Sequence, residues 1–171
     1  MAKSKKLNTQ GFNTFKNNAF ITKTSEETRA LGKQFASVLK SGDIIFLKGD
    51  LGSGKTTFAQ GVVRAFGNKG FARSSSFMLV NEYDAVDLKL FHLDLYRLQP
   101  STVWDIGIEE YIYSENISLI EWADKLIGAE NDNQWSVEIE NTGSERKIKI
   151  EKKNENFSSR NFRKNIQHSF K

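Results

Sequence analysis

Residues 49–57 read Gly49-Asp50-Leu51-Gly52-Ser53-Gly54-Lys55-Thr56-Thr57, a complete G-x-x-x-x-G-K-[ST] string. It constrains the fold more than any other feature, because such a string works only between a strand and a helix. The flanks supply both. Asp43-Ile44-Ile45-Phe46-Leu47-Lys48 is a short apolar run rich in β-formers, and Phe58, Val62, Val63 and Phe66 then recur at helical spacing. Gly52 and Gly54 accept positive φ, which lets main-chain N–H groups face inward around an anion. The helix that follows adds the positive end of its dipole. A loop of this kind cradles phosphates. Lys55 can reach the β- and γ-phosphates of a nucleotide, and the Thr56 hydroxyl suits magnesium, a hard cation that prefers oxygen ligands.

Length and composition set the surroundings. The 171 residues are enough for one domain with an ordinary core. No stretch approaches the roughly 18 apolar residues of a membrane span. Met1-Ala2-Lys3-Ser4-Lys5-Lys6 leads into no long apolar run, so no secretory signal is expected. The chain has no cysteine, which excludes disulfides and thiolate metal sites and suits a reducing, cytoplasmic setting. The net charge of +4 is unevenly placed: residues 1–23 carry five lysines and no acid, and residues 152–171 carry a net +5. The segment between them is therefore at −6. Basic ends can touch RNA or an acidic partner, although solubilising termini are the simpler reading, and an acidic body argues against a broad RNA-binding face.

The rest of the chain alternates strands and helices. Ala19–Thr22 reads as a short strand. Thr24 and Glu27 have capping-box spacing, and Leu31, Phe35, Val38 and Leu39 line one helical face that Ser41-Gly42 is expected to end. Phe77–Tyr83, Leu88–Leu95 and Ile117–Glu121 read as strands. Short helices are expected at 102–105 and 109–113, and a helical turn or two at 122–127. Trp135–Glu140 and Arg146–Lys152 alternate around Asn141-Thr142-Gly143-Ser144, a hairpin signal. The expected domain spans residues 19–153, between loose basic ends at 1–18 and 154–171. Its class is α/β: a three-layer, P-loop NTPase-like sheet flanked by helices, with a C-terminal β-hairpin. Ligands bind beyond the carboxyl ends of the strands in such sheets, where Asp94 and Glu121 would meet Lys55 and Thr56.

Several strings occur together in a familiar order: the P-loop with its Asp-Leu-Gly start, Ser74-Ser75-Ser76-Phe77, His92-Leu93-Asp94-Leu95-Tyr96-Arg97-Leu98, Gly107-Ile108-Glu109-Glu110-Tyr111 and Leu119-Ile120-Glu121-Trp122. Over roughly residues 20–150 they resemble TsaE (YjeE), the P-loop ATPase family of bacterial tRNA threonylcarbamoyladenosine synthesis. The resemblance implies ATP and Mg2+ as cofactors, TsaD- and TsaB-type proteins as partners, and tRNA as an indirect target. It implies that Gly52, Ser53, Gly54, Lys55, Thr56 and Thr57 hold the phosphates, with Thr56 on the metal. Asp94 matches a Walker B-like aspartate. Glu121 matches an acid associated with magnesium and hydrolysis. Ser76 belongs to a switch-like segment near the γ-phosphate, and Ser25 and Gly143 lie near the nucleotide. Ser75 and Ser76 replace the family's usual Pro-Thr. The lost proline frees φ there, while Ser76 keeps a hydroxyl.

Other residues keep two readings. His92 shares a strand face with Asp94 and is either packed or supports the site. Trp122 reads as packing, and Arg97 as a candidate charge stabiliser. No arginine finger in cis is evident, so slow turnover alone is expected. A small-molecule kinase remains the alternative, although a lid would be poorly supplied by Arg64, Arg73 and Arg97. A GTPase would need Asn-Lys-x-Asp, and Asn68-Lys69-Gly70-Phe71 lacks the aspartate.

Overall fold

The computed structural model describes residue 15 and residues 18–67, 79–85, 87–129 and 133–153. Its strands are β1 (Asn18–Thr22), β2 (Ile44–Lys48), β3 (Val80–Asp84), β4 (Lys89–Asp94), β5 (Ile117–Glu121), β6 (Gln134–Asn141) and β7 (Arg146–Lys152). The helices are α1 (Ser25–Phe35), α2 (Lys55–Ala65) and α3 (Glu109–Ile112), and single 3-10 turns occupy Ala36–Val38, Val103–Ile106 and Ala123–Lys125. The expected basic ends fall outside the described residues apart from Phe15 and Asn18.

All seven strands join one sheet in the order β1-β7-β6-β2-β5-β4-β3. Strand β2 runs parallel to both β5 and β6, and β4 runs parallel to β5. The β3–β4, β6–β7 and β1–β7 pairs are antiparallel. The P-loop strand is thus an inner strand, and the carboxyl ends of β2, β4 and β5 open on one edge.

Burial explains the sequence patterns. Every residue of Ile44–Leu47 is buried, because helices cover β2 on both faces. Ile45 and Leu47 pack with Leu31, Phe35, Phe58 and Val62 of α1 and α2. Ile44 and Phe46 pack on the other side with Val103, Ile108 and Ile112. A strand covered twice reads as a continuous apolar run. The β6–β7 hairpin alternates because only one face is covered: Trp135, Val137, Ile139, Ile148 and Ile150 are buried, while Glu138, Glu140, Lys147 and Lys149 face solvent.

Helix α1 starts where the cap signal placed it. Glu27 N–H donates to Thr24 Oγ1 at 3.1 Å, but the Glu27 carboxylate reaches Lys23 N–H, one residue before the cap. The end differs from expectation. The helix stops at Phe35 and tightens into the turn Ala36–Val38, and Leu39 is already extended. Gly42, at φ 80, instead makes the bend into β2, its N–H shared between the carbonyls of Glu115 and Asn116. Helices α1 and α2 cross where both lack a side chain: a Cβ on Gly61 would sit 2.1 Å from the Arg29 carbonyl oxygen, and one on Gly32 would sit 2.3 Å from that of Phe58.

A polar knot ties the far end of β2. Asp43 is buried and accepts from Lys40 N–H at 2.9 Å, Trp135 Nε1 at 3.2 Å and Lys152 Nζ at 3.1 Å. A buried carboxylate without such donors would be costly. Here it links the start of β2 to both strands of the hairpin.

Candidate active site

The loop Gly49–Gly54 joins β2 to α2 with three residues at positive φ: Gly49 at 135, Gly52 at 77 and Gly54 at 114. Gly49 is needed for space as well. A Cβ there would lie 2.2 Å from the Ile139 carbonyl oxygen, so the loop could not pass β6 with any side chain. The loop opens on a cleft lined by Gly52, Gly54, Lys55, Thr56 and Thr57, by Asp94, Tyr96 and Arg97, by Glu121 and Trp122, and by Arg146.

Lys55 begins α2, yet its side chain is only 5% exposed. Its Nζ donates to the Gly49 and Asp50 carbonyls, at 2.7 Å each, and stands 3.9 Å from the centre of the Trp122 ring. Burial pushes the amine below its ordinary 10.5, against the opposing pull of Glu121, Asp94, Asp124 and Asp50. The lysine thus folds back onto its own loop, holding two carbonyls where phosphate oxygens would satisfy it equally well.

Asp94 and Glu121 end adjacent parallel strands and are direct register partners. The apolar run Ile117–Ile120 delivers Glu121 to this edge, where it is only 2% exposed. Thr56 Oγ1 donates to Glu121 Oε2 at 2.9 Å, so the P-loop hydroxyl and the strand-end acid are joined directly. On the other carboxylate oxygen, His92 Nε2 lies 2.9 Å from Oε1, with the ring fully buried. His92 is therefore both packed and tied to the site. Its buried Nδ1 has no partner among the described residues. Asp94 is half-buried, and its Oδ1 accepts from Tyr96 N–H at 3.0 Å.

Trp122 follows Glu121 in a left-handed conformation, φ 60 and ψ 36, and is the only described non-glycine residue with positive φ. Such a conformation costs about 1–3 kcal/mol and persists only when its surroundings enforce it. Here Trp122 N–H continues the ladder to Leu47 O at 3.1 Å, and the ring packs against Tyr96 with centroids 5.0 Å apart and planes tilted by 43°. Lys125 braces the same corner by donating to the carbonyls of Leu95, Tyr96 and Leu98. Sequence reasoning took Trp122 as packing; the ring is also the platform under Lys55.

The remaining expected residues are dispersed. Ser53 is buried behind the loop and Thr57 lines the cleft. Ser25 opens α1 and Gly143 sits in the hairpin turn; neither lines the cleft. Ser76 and its segment lie outside the described residues. Arg146, which the sequence did not single out, lines the cleft from the start of β7.

The family model for threonylcarbamoyl adenosine biosynthesis protein TsaE matches residues 22–149. The chain belongs to the TsaE family. It is 39% identical over 102 residues to the tRNA threonylcarbamoyladenosine biosynthesis protein TsaE of Bacillus subtilis, covering 60% of this chain and 64% of that one. To the protein of the same name in Rickettsia bellii it is 38% identical over 110 residues, 63% of this chain and 76% of that one. The match thus spans less than two thirds of the Bacillus subtilis relative. The crystal structure of Bacillus subtilis YdiB superposes with a TM-score of 0.67 at 32% identity, over 79% of this chain and 84% of that one. The P-loop NTPase-like α/β fold expected from the sequence is the one observed. No described helix is long and apolar enough to cross a membrane.

Proposed function

We propose that this TsaE chain binds and hydrolyses Mg·ATP in the P-loop cleft, and that turnover drives an accessory step of tRNA A37 threonylcarbamoylation with TsaD- and TsaB-type partners in the cytoplasm. One observation carries the reading: Lys55, Thr56, Asp94 and Glu121 converge on one cleft at the carboxyl ends of β2, β4 and β5.

The donor set suits magnesium only together with a nucleotide. Among the described residues no three His, Cys, Asp or Glu side chains cluster to hold a metal by themselves. The cleft instead offers a hydroxyl and a carboxylate 2.9 Å apart, Thr56 and Glu121, with Asp94 beside them. Magnesium is commonly held by one or two such groups plus phosphates and water. When bound it would offset charge on the β- and γ-phosphates. Thr56 and Glu121 are the residues that would hold it.

The chain's own groups then do three things. Lys55 exchanges the Gly49 and Asp50 carbonyls for phosphate oxygens. The loop N–H groups and the α2 dipole hold the β-phosphate. Asp94, more open to the cleft than Glu121, orients the attacking water and accepts its proton. Positioning and charge stabilisation supply the catalysis, and no covalent intermediate is needed. Turnover by the isolated chain is expected to be slow, with a partner completing the site.

A reconstituted tRNA modification assay tests this reading, run with the wild-type chain, without it, and with Lys55→Ala. Modified adenosine accumulating over many cycles only with wild type is the expected result. ATP binding without any effect on modification would overturn the pathway reading and leave a small-molecule kinase as the next hypothesis.

A further inference from the structure

The acidic groups of the cleft all stand on one flank of the P-loop, on β4 and β5. The opposite flank is β6 and β7, and from it Arg146 enters the cleft. Arg146 is the first residue of β7, set in register opposite Asn141 of β6 and Thr22 of β1. Its side chain comes close to the P-loop at Gly54: a Cβ built there would meet Arg146 Nε at 3.0 Å and Cδ at 3.1 Å. The absence of a side chain at Gly54 is what lets the arginine approach. Its Nε is buried and has no hydrogen-bond partner among the described residues. A second tie fixes the same hairpin end to the same loop, since Asn141 Nδ2 donates to Gly52 O at 3.4 Å.

A buried guanidinium N–H without an acceptor is costly, and arginine's planar fork matches phosphate geometry. The loop that Arg146 lies on is the one read above as the phosphate cradle. We infer that Arg146 is a nucleotide-binding residue that takes the α/β-diphosphate from the β7 flank, an inference that rests on the nucleotide reading of the cleft. Its position decides which phosphates. Thr56, Asp94 and Glu121 gather on the other flank, where the metal and the γ-phosphate belong. Arg146 therefore grips the part common to ATP and ADP and is no arginine finger on the γ-phosphate.

Calorimetric titration of the full chain with Mg·ADP and Mg·ATP tests this, comparing wild type with Arg146→Gln and Arg146→Lys. A charge-assisted hydrogen bond predicts a loss of about 10- to 100-fold for Arg146→Gln. The loss should be the same for both nucleotides, so that their affinity ratio is kept. Arg146→Lys keeps the charge without the fork and should fall between wild type and Arg146→Gln. It also serves as the readout if Arg146→Gln lowers the melting temperature of the free chain. Unchanged ADP affinity in both variants overturns the inference, as does a loss confined to ATP. A wild-type chain that binds neither nucleotide would instead overturn the nucleotide reading of the cleft, and this inference with it.

Discussion

Lys55 Nζ stands 3.9 Å from the centre of the Trp122 ring, and that ring is held in place by a left-handed backbone. A cation over an indole face in a partly dry site contributes about 1–2 kcal/mol. A nucleotide that draws Lys55 onto its phosphates must break this contact. Tryptophan emission should therefore change when Mg·ADP is added, and Trp122→Phe should abolish the change, since neither Trp104 nor Trp135 lines the cleft. Persistence of the full response in Trp122→Phe would contradict a release of Lys55 from the Trp122 ring.

The Thr56–Glu121 hydrogen bond is the joint between loop and strand, and Glu121 is almost wholly buried. Thr56→Val keeps the shape of the side chain and removes the donor. The ligand-free chain should lose about 1–3 kcal/mol in denaturant unfolding, the usual effect of leaving a buried acceptor unsatisfied. Magnesium-dependent enhancement of ATP binding should vanish with it. A variant as stable as wild type, with the metal effect intact, would remove this bond from the account.

Burial lowers the Lys55 amine below its ordinary 10.5 in the folded chain. Well below both the folded and the unfolded values the amine is charged in each state, and its burial weighs against folding. As pH rises past the folded value toward 10.5, the folded chain releases this proton first, and that cost is relieved. Wild type should therefore gain stability relative to Lys55→Met across this alkaline window. Parallel unfolding curves for the two chains over the same range would show that the amine is not held this way.

Helices α1 and α2 touch through Gly32 and Gly61, with backbone on the other side of each contact. Gly61→Ala cannot be relieved by turning a side chain, because the Arg29 carbonyl lies 2.1 Å from the new Cβ. The helices must part, and overpacking of this kind costs about 3 kcal/mol. Calorimetric melting should show a drop of many degrees; an unchanged transition would contradict a backbone-to-backbone crossing at Gly61.

How much of this was legible depended on how local the cause was. Strand β2, the P-loop and α2 could be read because strand, glycines and helix are contiguous and each has its own pattern. The hairpin could be read because its alternation is interrupted only by Asn141–Ser144. Glu121 and Asp94 could be placed because each ends an apolar strand. The end of α1 could not, since Gly42 has the same signature whether it caps a helix or bends the chain into a strand. Trp122 looked like packing because nothing in Glu121-Trp122-Ala123 announces a left-handed residue. Arg146 was missed because its nearness to Gly54 comes from sheet order: β7 lies two strands from β2, although 92 positions separate the two residues. Ser25 and Gly143, placed by family likeness alone, do not line the cleft.

Lys55 is the residue around which the proposed Mg·ATP site is organised. Equilibrium titration with ATP, with and without magnesium, on wild type and Lys55→Ala tests this role most directly. Wild type should bind saturably, more tightly with magnesium, and Lys55→Ala should lose at least about tenfold in affinity. Equal affinity in the two chains, or no binding by wild type, would contradict it.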